Sequence, residues 1–267
     1  MARSIIFFSL FFLISASLAV MYAFGLLRLS LVLLSATTLL MVYLLFHPRN
    51  QWMVANRSRV PGGRCVALTF DDGPDPVFTP RVLDLLRERD VKATFFVIGK
   101  RADQHPEIVR RAWDEGHLIA NHTWSHYPFF CFLMPSRLRA EIEKGIQSVQ
   151  SACGLRPRLF RSPVGLRHPL LPFYLESMGL EYVSWSIRTL DTFITDPGVL
   201  AERILNKVGS GDVILLHDRL PRGSDVMLQA LPRVIDGLRS RGFEFVLAAP
   251  REDVQGTLKP AICESVP

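Results

Sequence analysis

The sequence lacks the features that would mark a nucleophile hydrolase or a nucleic-acid protein. No serine sits in a Gly-x-Ser-x-Gly elbow, and no cysteine has a catalytic-motif neighbour, so serine or cysteine nucleophile mechanisms fit poorly. The four cysteines (Cys65, Cys131, Cys153 and Cys263) show neither Cys-x-x-Cys spacing nor a dense framework. Free thiols and a reducing compartment are the expectation. A formal charge of +6 is modest, and no stretch combines a basic-aromatic surface with a zinc-finger spacing. Nucleic acid is therefore not an expected partner. Internal repeats and low-complexity tracts are also absent.

What is present begins with hydrophobicity. Residues 5–27 are apolar apart from scattered Ser and Tyr, Arg28 interrupts, and residues 29–46 resume the run up to His47-Pro48-Arg49. Each stretch approaches the roughly 20 residues that a bilayer core demands of a helix. A cleaved signal peptide fits poorly, because the core is too long and lacks a small-x-small site followed by polar sequence. Residues 1–50 therefore read as a transmembrane hairpin anchoring the chain to membrane lipid. Arg3 precedes it, and Arg49, Arg57, Arg59 and Arg64 follow, which favours a bacterial inner membrane with the globular part on the cytoplasmic face.

Residues 51–64 are polar, punctuated by Pro61-Gly62-Gly63, and read as a linker. Residues 65–250 alternate short apolar runs with amphipathic segments, and 251–267 read as a loose tail. Strands are expected at 65–70, 93–98, 117–121, 159–161, 181–186, 213–217 and 243–247. Helices are expected at 80–89, 106–115, 136–152 (capped by Ser136), 170–178, 197–208 and 226–239. Strand–helix alternation of this kind implies a parallel sheet, open or closed into a barrel.

Five motifs follow these strands, at the end where parallel barrels assemble their sites. Thr69-Phe70-Asp71-Asp72-Gly73-Pro74 carries two adjacent carboxylates that point to different sides. Asn121-His122-Thr123-Trp124-Ser125-His126 holds two histidines four apart, on one face if a helical turn begins there. With Asp72 they make a His-His-Asp set suited to a divalent metal. Arg161-Ser162-Pro163-Val164-Gly165 follows another strand. Trp185 precedes Arg188-Thr189-Leu190-Asp191-Thr192. In Val213-Ile214-Leu215-Leu216-His217-Asp218, a buried strand delivers His217, and Leu215 can line an apolar acyl pocket. Asp212 and Asp218 read as ordinary loop residues. The adjacent acids do not read as a glycosidase pair placed across a cleft.

In order and content these motifs resemble the polysaccharide deacetylase family (carbohydrate esterase family four), including the chitooligosaccharide deacetylases of nodulation. The resemblance covers about residues 65–247. It implies a distorted, seven-stranded (β/α) barrel and a metal-dependent amidohydrolase that removes an N-acyl group from an amino sugar. It assigns the general base to Asp71, metal ligation to Asp72, the base-orienting role to Arg161 and the general acid to His217. It would pair Asp191 with Arg161, and it places a main-chain oxyanion donor after Pro163. The chain departs from the family where Val164 stands for a Tyr, Arg188 for an acid and Thr192 for an aromatic wall. Val164, Trp185, Thr192 and Leu215 are the expected substrate contacts.

The expected cofactor is one divalent ion, zinc first, with cobalt or nickel as alternatives. The expected substrate is an N-acetylated glycan or, given the anchor, a lipid-linked amino sugar. The basic stretch Leu166-Arg167-His168 could meet a phosphate. Deformylation of an amino sugar is one competing reading. An inactive glycan-binding or scaffold protein is the other, and it is disfavoured because all the site residues occur together.

Overall fold

The computed structural model describes residues 2–47, 50–219, 225–252 and 258–259. Two helices, α1 (Ala2–Ala23) and α2 (Leu27–Phe46), pack against one another around a turn at Gly25, whose φ is +74°. The predicted pair of helices forms, but its membrane-crossing character is not supported. Among the described residues no helix is long and apolar enough to cross a membrane. Hydroxyls dilute both helices: Ser15, Ser17, Ser30, Ser35 and Thr37 each return a side-chain hydrogen bond to the carbonyl four residues back.

The remainder runs β1 (Asn56–Arg57), β2 (Cys65–Asp71), α3 (Phe78–Glu88), β3 (Thr94–Val97), α4 (Gly99–Gln104), α5 (Pro106–Asp114) and β4 (Leu118–Asn121). It continues through α6 (Pro135–Cys153), β5 (Leu159–Phe160), α7 (Leu171–Met178), β6 (Glu181–Val183) and β7 (Ile187–Arg188). The last elements are α8 (Pro197–Leu205), β8 (Asp212–His217), α9 (Val226–Ser240) and β9 (Glu244–Phe245), then a small hairpin of β10 (Arg251–Glu252) and β11 (Leu258–Lys259). The rest of the predicted tail, Cys263 included, lies outside the described residues.

The strands form a parallel sheet ordered β1-β6-β5-β4-β3-β2-β8-β7, with β9 also pairing β2. This is a half-barrel, not a hydrogen-bond-closed seven-stranded barrel. Two of the extra strands, β1 and β7, are two-residue edges with too little sequence to show a period. Alternation on the long strands sorts the side chains. Val66, Leu68 and Phe70 of β2 face the layer of α3, α5, α8 and α9, while Cys65 and Ala67 join Phe96, Ala120 and Val213 inside the curved sheet. A third cluster packs α6 and α7 against Phe160 and Tyr182.

Helix termini follow elementary rules. Asp196 caps α8 by accepting from the Val199 N–H at 2.8 Å, Pro106 opens α5, and Gly154 ends α6 in the left-handed region. Helix α6 starts at Pro135 behind Met134, with no side-chain cap, so the expected Ser136 cap is not made. Part of the stretch read as a linker is built into the domain. Met53, Val54 and Val60 are buried, and Asn56 and Arg57 pair with Tyr182 and Val183. The fully buried Arg167 fastens this entry by donating to the carbonyls of Asn50 at 2.8 Å and His47 at 3.0 Å. Of the cysteines, Cys131 and Cys153 are free and buried, whereas Cys65 is disulfide-bonded, against the free-thiol expectation.

Candidate active site

Strand alternation aims the chemistry. On β2 the inward positions run Cys65, Ala67, Thr69, Asp71, and on the neighbouring β8 they include Val213, Leu215 and His217. The parallel register places Asp71 directly beside His217. On β5 the same logic sends Phe160 outward and brings Arg161 inward. The C-terminal strand ends thus deliver an acid, an imidazole and a guanidinium to one place.

Arg161 is fully buried and spends its donors on four acceptors. Nη1 reaches Asp71 Oδ1 at 2.5 Å and Thr69 Oγ1 at 3.0 Å, Nε reaches the Val183 carbonyl, and Nη2 the Ser184 carbonyl. Its guanidinium carbon lies 3.9 Å from the Phe96 ring centroid. Burial raises the Asp71 carboxyl above the ordinary carboxylate range, against the opposing pull of Arg161 and then His217.

Asp72 turns away from Asp71 because its φ is +74°. Its Oδ1 lies 3.2 Å from His126 Nε2 and 3.6 Å from His122 Nε2, and the three possible ligand atoms all lie within 4.8 Å of one another. The His122 Nδ1 lies 2.7 Å from the Arg161 carbonyl, so that nitrogen carries the proton and Nε2 keeps its lone pair toward Asp72. Burial, joined by repulsion from His126, pushes His122 down to about 3 and keeps it neutral. Asp72 Oδ1 is buried without a hydrogen-bond partner. A neutral imidazole and an unsatisfied carboxylate oxygen are what a divalent cation requires, so the residues fit one. The histidine pair rides a loop after β4, not the helical turn expected, with Thr123 at φ +65° and His126 at φ +53°.

His217 is held by Asp191, whose Oδ1 lies 2.9 Å from ring Nδ1. Burial opposes charge on this imidazole, but the hydrogen bond and charge of Asp191, followed by the charges of Asp71 and Asp72, prevail and raise it to about 9. The expected Asp191–Arg161 pair does not form; Asp191 serves His217 instead.

Asp71, Asp72, His122, His126, Asp191 and His217 line one cleft of about 120 Å³, together with Val164, Trp185, Arg188, Leu190, Thr192 and Leu215. Every sequence-predicted site residue except the wholly buried Arg161 thus lines it directly. Val164 is exposed at φ +56°, and Gly165 beside it is obligatory, because a Cβ there would come within 2.6 Å of the Trp185 ring.

A family description, polysaccharide deacetylase, matches residues 58–183. A chitooligosaccharide deacetylase of Bradyrhizobium is 38% identical over 202 residues, which cover 71% of this chain and 91% of that protein. The chain belongs to the polysaccharide deacetylase family. The homologues that establish this membership are amidohydrolase-type enzymes acting on N-acetyl groups. A peptidoglycan-N-acetylglucosamine deacetylase of Bacillus cereus is 36% identical over 183 residues, spanning 68% of this chain and 66% of that one. Among solved structures, a peptidoglycan N-acetylglucosamine deacetylase in complex with 4-naphthalen-1-yl-N-oxidanyl-benzamide superposes with a TM-score of 0.68. It is 33% identical and covers 72% of this chain and 89% of its own.

Two carboxylates dismissed as loop residues are buried in this deacetylase domain. Asp212 pairs with Arg59 at 3.0 Å. Asp218 accepts from Thr79 Oγ1 at 2.6 Å and wedges against Gly73, where an added Cβ would lie 2.0 Å from its Oδ2. Burial raises Asp218 to about 7. Its place directly after His217 was the available signal. The Leu166-Arg167-His168 stretch is no phosphate site, since Arg167 is buried and committed to main-chain carbonyls.

Proposed function

We propose that this chain is a metal-dependent N-deacetylase of amino-sugar glycans. The observation that carries the reading is the three-ligand cluster of Asp72, His122 and His126, flanked by two buried ion pairs, Asp71–Arg161 and His217–Asp191. A divalent ion held by the cluster would polarise the acyl carbonyl and acidify a bound water, to a pKa of about 7 in favourable zinc sites.

Asp71 accepts the proton of the attacking water, and Arg161 opposes the rise that burial imposes on this carboxyl and fixes its direction. His217, beside Asp71 on the neighbouring strand, stands protonated and donates to the departing amine. Asp191 holds its ring at Nδ1, which leaves Nε2 to face the substrate. Leu215, Trp185 and Leu190 exclude water around the acyl group, and the loop carrying Val164 presents main chain to the carbonyl oxygen. The pairs divide the labour: one favours a carboxylate, the other an imidazolium.

The test is release of acetate from N-acetylated chitooligosaccharides and peptidoglycan glycans by zinc- or cobalt-supplied full-length protein. Release is expected, is abolished by chelation, and falls at least about 100-fold in Asp71→Asn. Metal uptake without release from either substrate would favour a glycan-binding role. Formate release from N-formyl sugars alone would favour deformylation.

The reading includes association with lipid at the inner membrane. It rests on exposed apolar side chains of the two N-terminal helices, among them Phe11, Phe12, Val20 and Val32. Such a location makes a lipid-linked amino sugar the favoured substrate. Recovery in the membrane fraction after a high-salt wash is the expected result.

A further inference from the structure

On the His126 side of the ligand cluster the cleft opens into a second cavity, of about 470 Å³. It shares Asp72 and His126 with the first and is lined by Lys100, Arg101 and Arg219, with Gln104 and Ser125 as neutral donors. Lys100 is exposed, and among the described residues no carboxylate engages its ammonium. Arg219 is exposed and has a distant carboxylate, Asp75, 3.9 Å from its Nε. Arg101 is half-buried and fixed at the wall by a 2.5 Å bond from Nη1 to the Asp72 carbonyl. Asp72 is the acid that lines the cavity, and it belongs to the metal set; Asp75, outside the lining, meets Arg219 alone. With Asp72 committed there, three cations against Asp75 leave a surplus of two positive charges. Arg188, exposed on the far side of the catalytic cleft, extends the positive field to both flanks.

Resting on the deacetylase reading, we infer that this cavity is an anion subsite that takes a phosphoryl group carried by the amino-sugar substrate. A neutral chitin-like chain would leave Lys100 with no carboxylate, Arg219 with only a distant one and Arg101 with only a main-chain carbonyl. A phosphate ester offers oxygens matched to a guanidinium fork and a charge of about −2, which equals the surplus; a carboxylate offers half of that. The cavity adjoins the ligand cluster, so the anion sits on the same sugar as the scissile amide or on its immediate neighbour. The substrate class is therefore an amino-sugar phosphate monoester.

The experiment compares kcat/KM for N-acetylglucosamine 1-phosphate and 6-phosphate with that for the neutral methyl glycoside and for N-acetylmuramic acid, using zinc-supplied full-length protein at low salt. At least one phosphate ester is expected to exceed the methyl glycoside by about tenfold or more. The ratio should shrink as ionic strength rises. In the double variant Lys100→Gln with Arg219→Gln the ratio is expected to fall to within about twofold of unity, each protein's own neutral-substrate rate serving as its reference. Equal rates on phosphorylated and neutral sugars overturn the inference, as does a ratio untouched by the double variant. N-acetylmuramic acid matching or exceeding the better ester overturns the phosphoryl assignment. Failure on every sugar, the neutral ones included, instead overturns the deacetylase reading beneath it.

Discussion

Asp191 grips His217 twice: its Oδ2 accepts the backbone N–H of His217 at 2.8 Å, and its Oδ1 lies 2.9 Å from the ring Nδ1 of the same residue. One carboxylate thus fixes both the chain direction and the ring plane of the imidazole. Thr189 supports it by donating to the Leu215 carbonyl at 2.7 Å while lying 3.0 Å from Asp191 Oδ1.

A pH consequence follows for this pair. His217 is raised to about 9, above the ordinary histidine value of 6.5. The folded protein binds that proton more tightly than the unfolded chain does. The associated stability is fully present below pH 6.5 and disappears as pH rises through about 9. Thermal melts of the metal-free protein should therefore fall between those values in wild type and stay flatter in Asp191→Asn. Deacetylation should lose its alkaline limb at a lower pH in Asp191→Asn than in wild type.

Arg161 answers for both the base and the packing around it. Replacing it by Met leaves Asp71 buried beside an apolar side chain and frees the Val183 and Ser184 carbonyls. Removing one partner of a buried pair costs about 3–5 kcal/mol. Chemical denaturation should show a loss of that order, and Arg161→Lys should recover only part of it, because an ammonium cannot reproduce a planar four-acceptor fork.

Metal binding should read out as stability. A cation that binds only the folded state adds about 2.7 kcal/mol at 100 times its Kd. Zinc should therefore raise the melting temperature of wild type, and His122→Ala with His126→Ala should abolish the rise, each protein's own metal-free melt serving as its reference because truncating the buried His122 lowers the baseline. An equal zinc shift in the double variant would exclude these histidines as ligands.

Gly73 and Asp218 make a steric test. Gly73→Ala forces a Cβ to within 2.0 Å of Asp218 Oδ2, so it should destabilise the fold and impair the neighbouring Asp72. Adding Asp218→Ala should relieve the clash. The double-mutant coupling should fall in the range of about 0.5–3 kcal/mol expected for residues in contact, and simple additivity would refute the clash as the cause.

Much of the sheet was legible because β2, β4 and β8 are apolar runs ending in polar motifs, and buried parallel strands read that way. Helix α4 escaped notice because Gly-Lys-Arg-Ala-Asp-Gln shows almost no apolar periodicity, and only Gly99 and Ala102 are buried. The edge strands β1 and β7 are too short to carry a period of two. At the site, residue types and spacing named the metal and base motifs, but pairing depends on distances across the sheet. Asp191 could equally have faced Arg161 or His217 as far as its motif shows. Asp218 looked like a turn residue, since sequence does not distinguish a buried carboxylate from a solvated one.

The described residues include six non-glycine positions in the left-handed region, and five of them, Asp72, Thr123, His126, Val164 and Leu190, belong to the site. Each carries a conformational cost of about 1–3 kcal/mol that the surrounding fold must sustain. Glycine at Val164 would recover part of that energy and loosen the main chain at the wall of the cleft. The cheapest routes to a hardier protein thus run through the mouth of the catalyst. Selection for heat tolerance and selection for turnover would pull on the same few backbone angles in opposite directions.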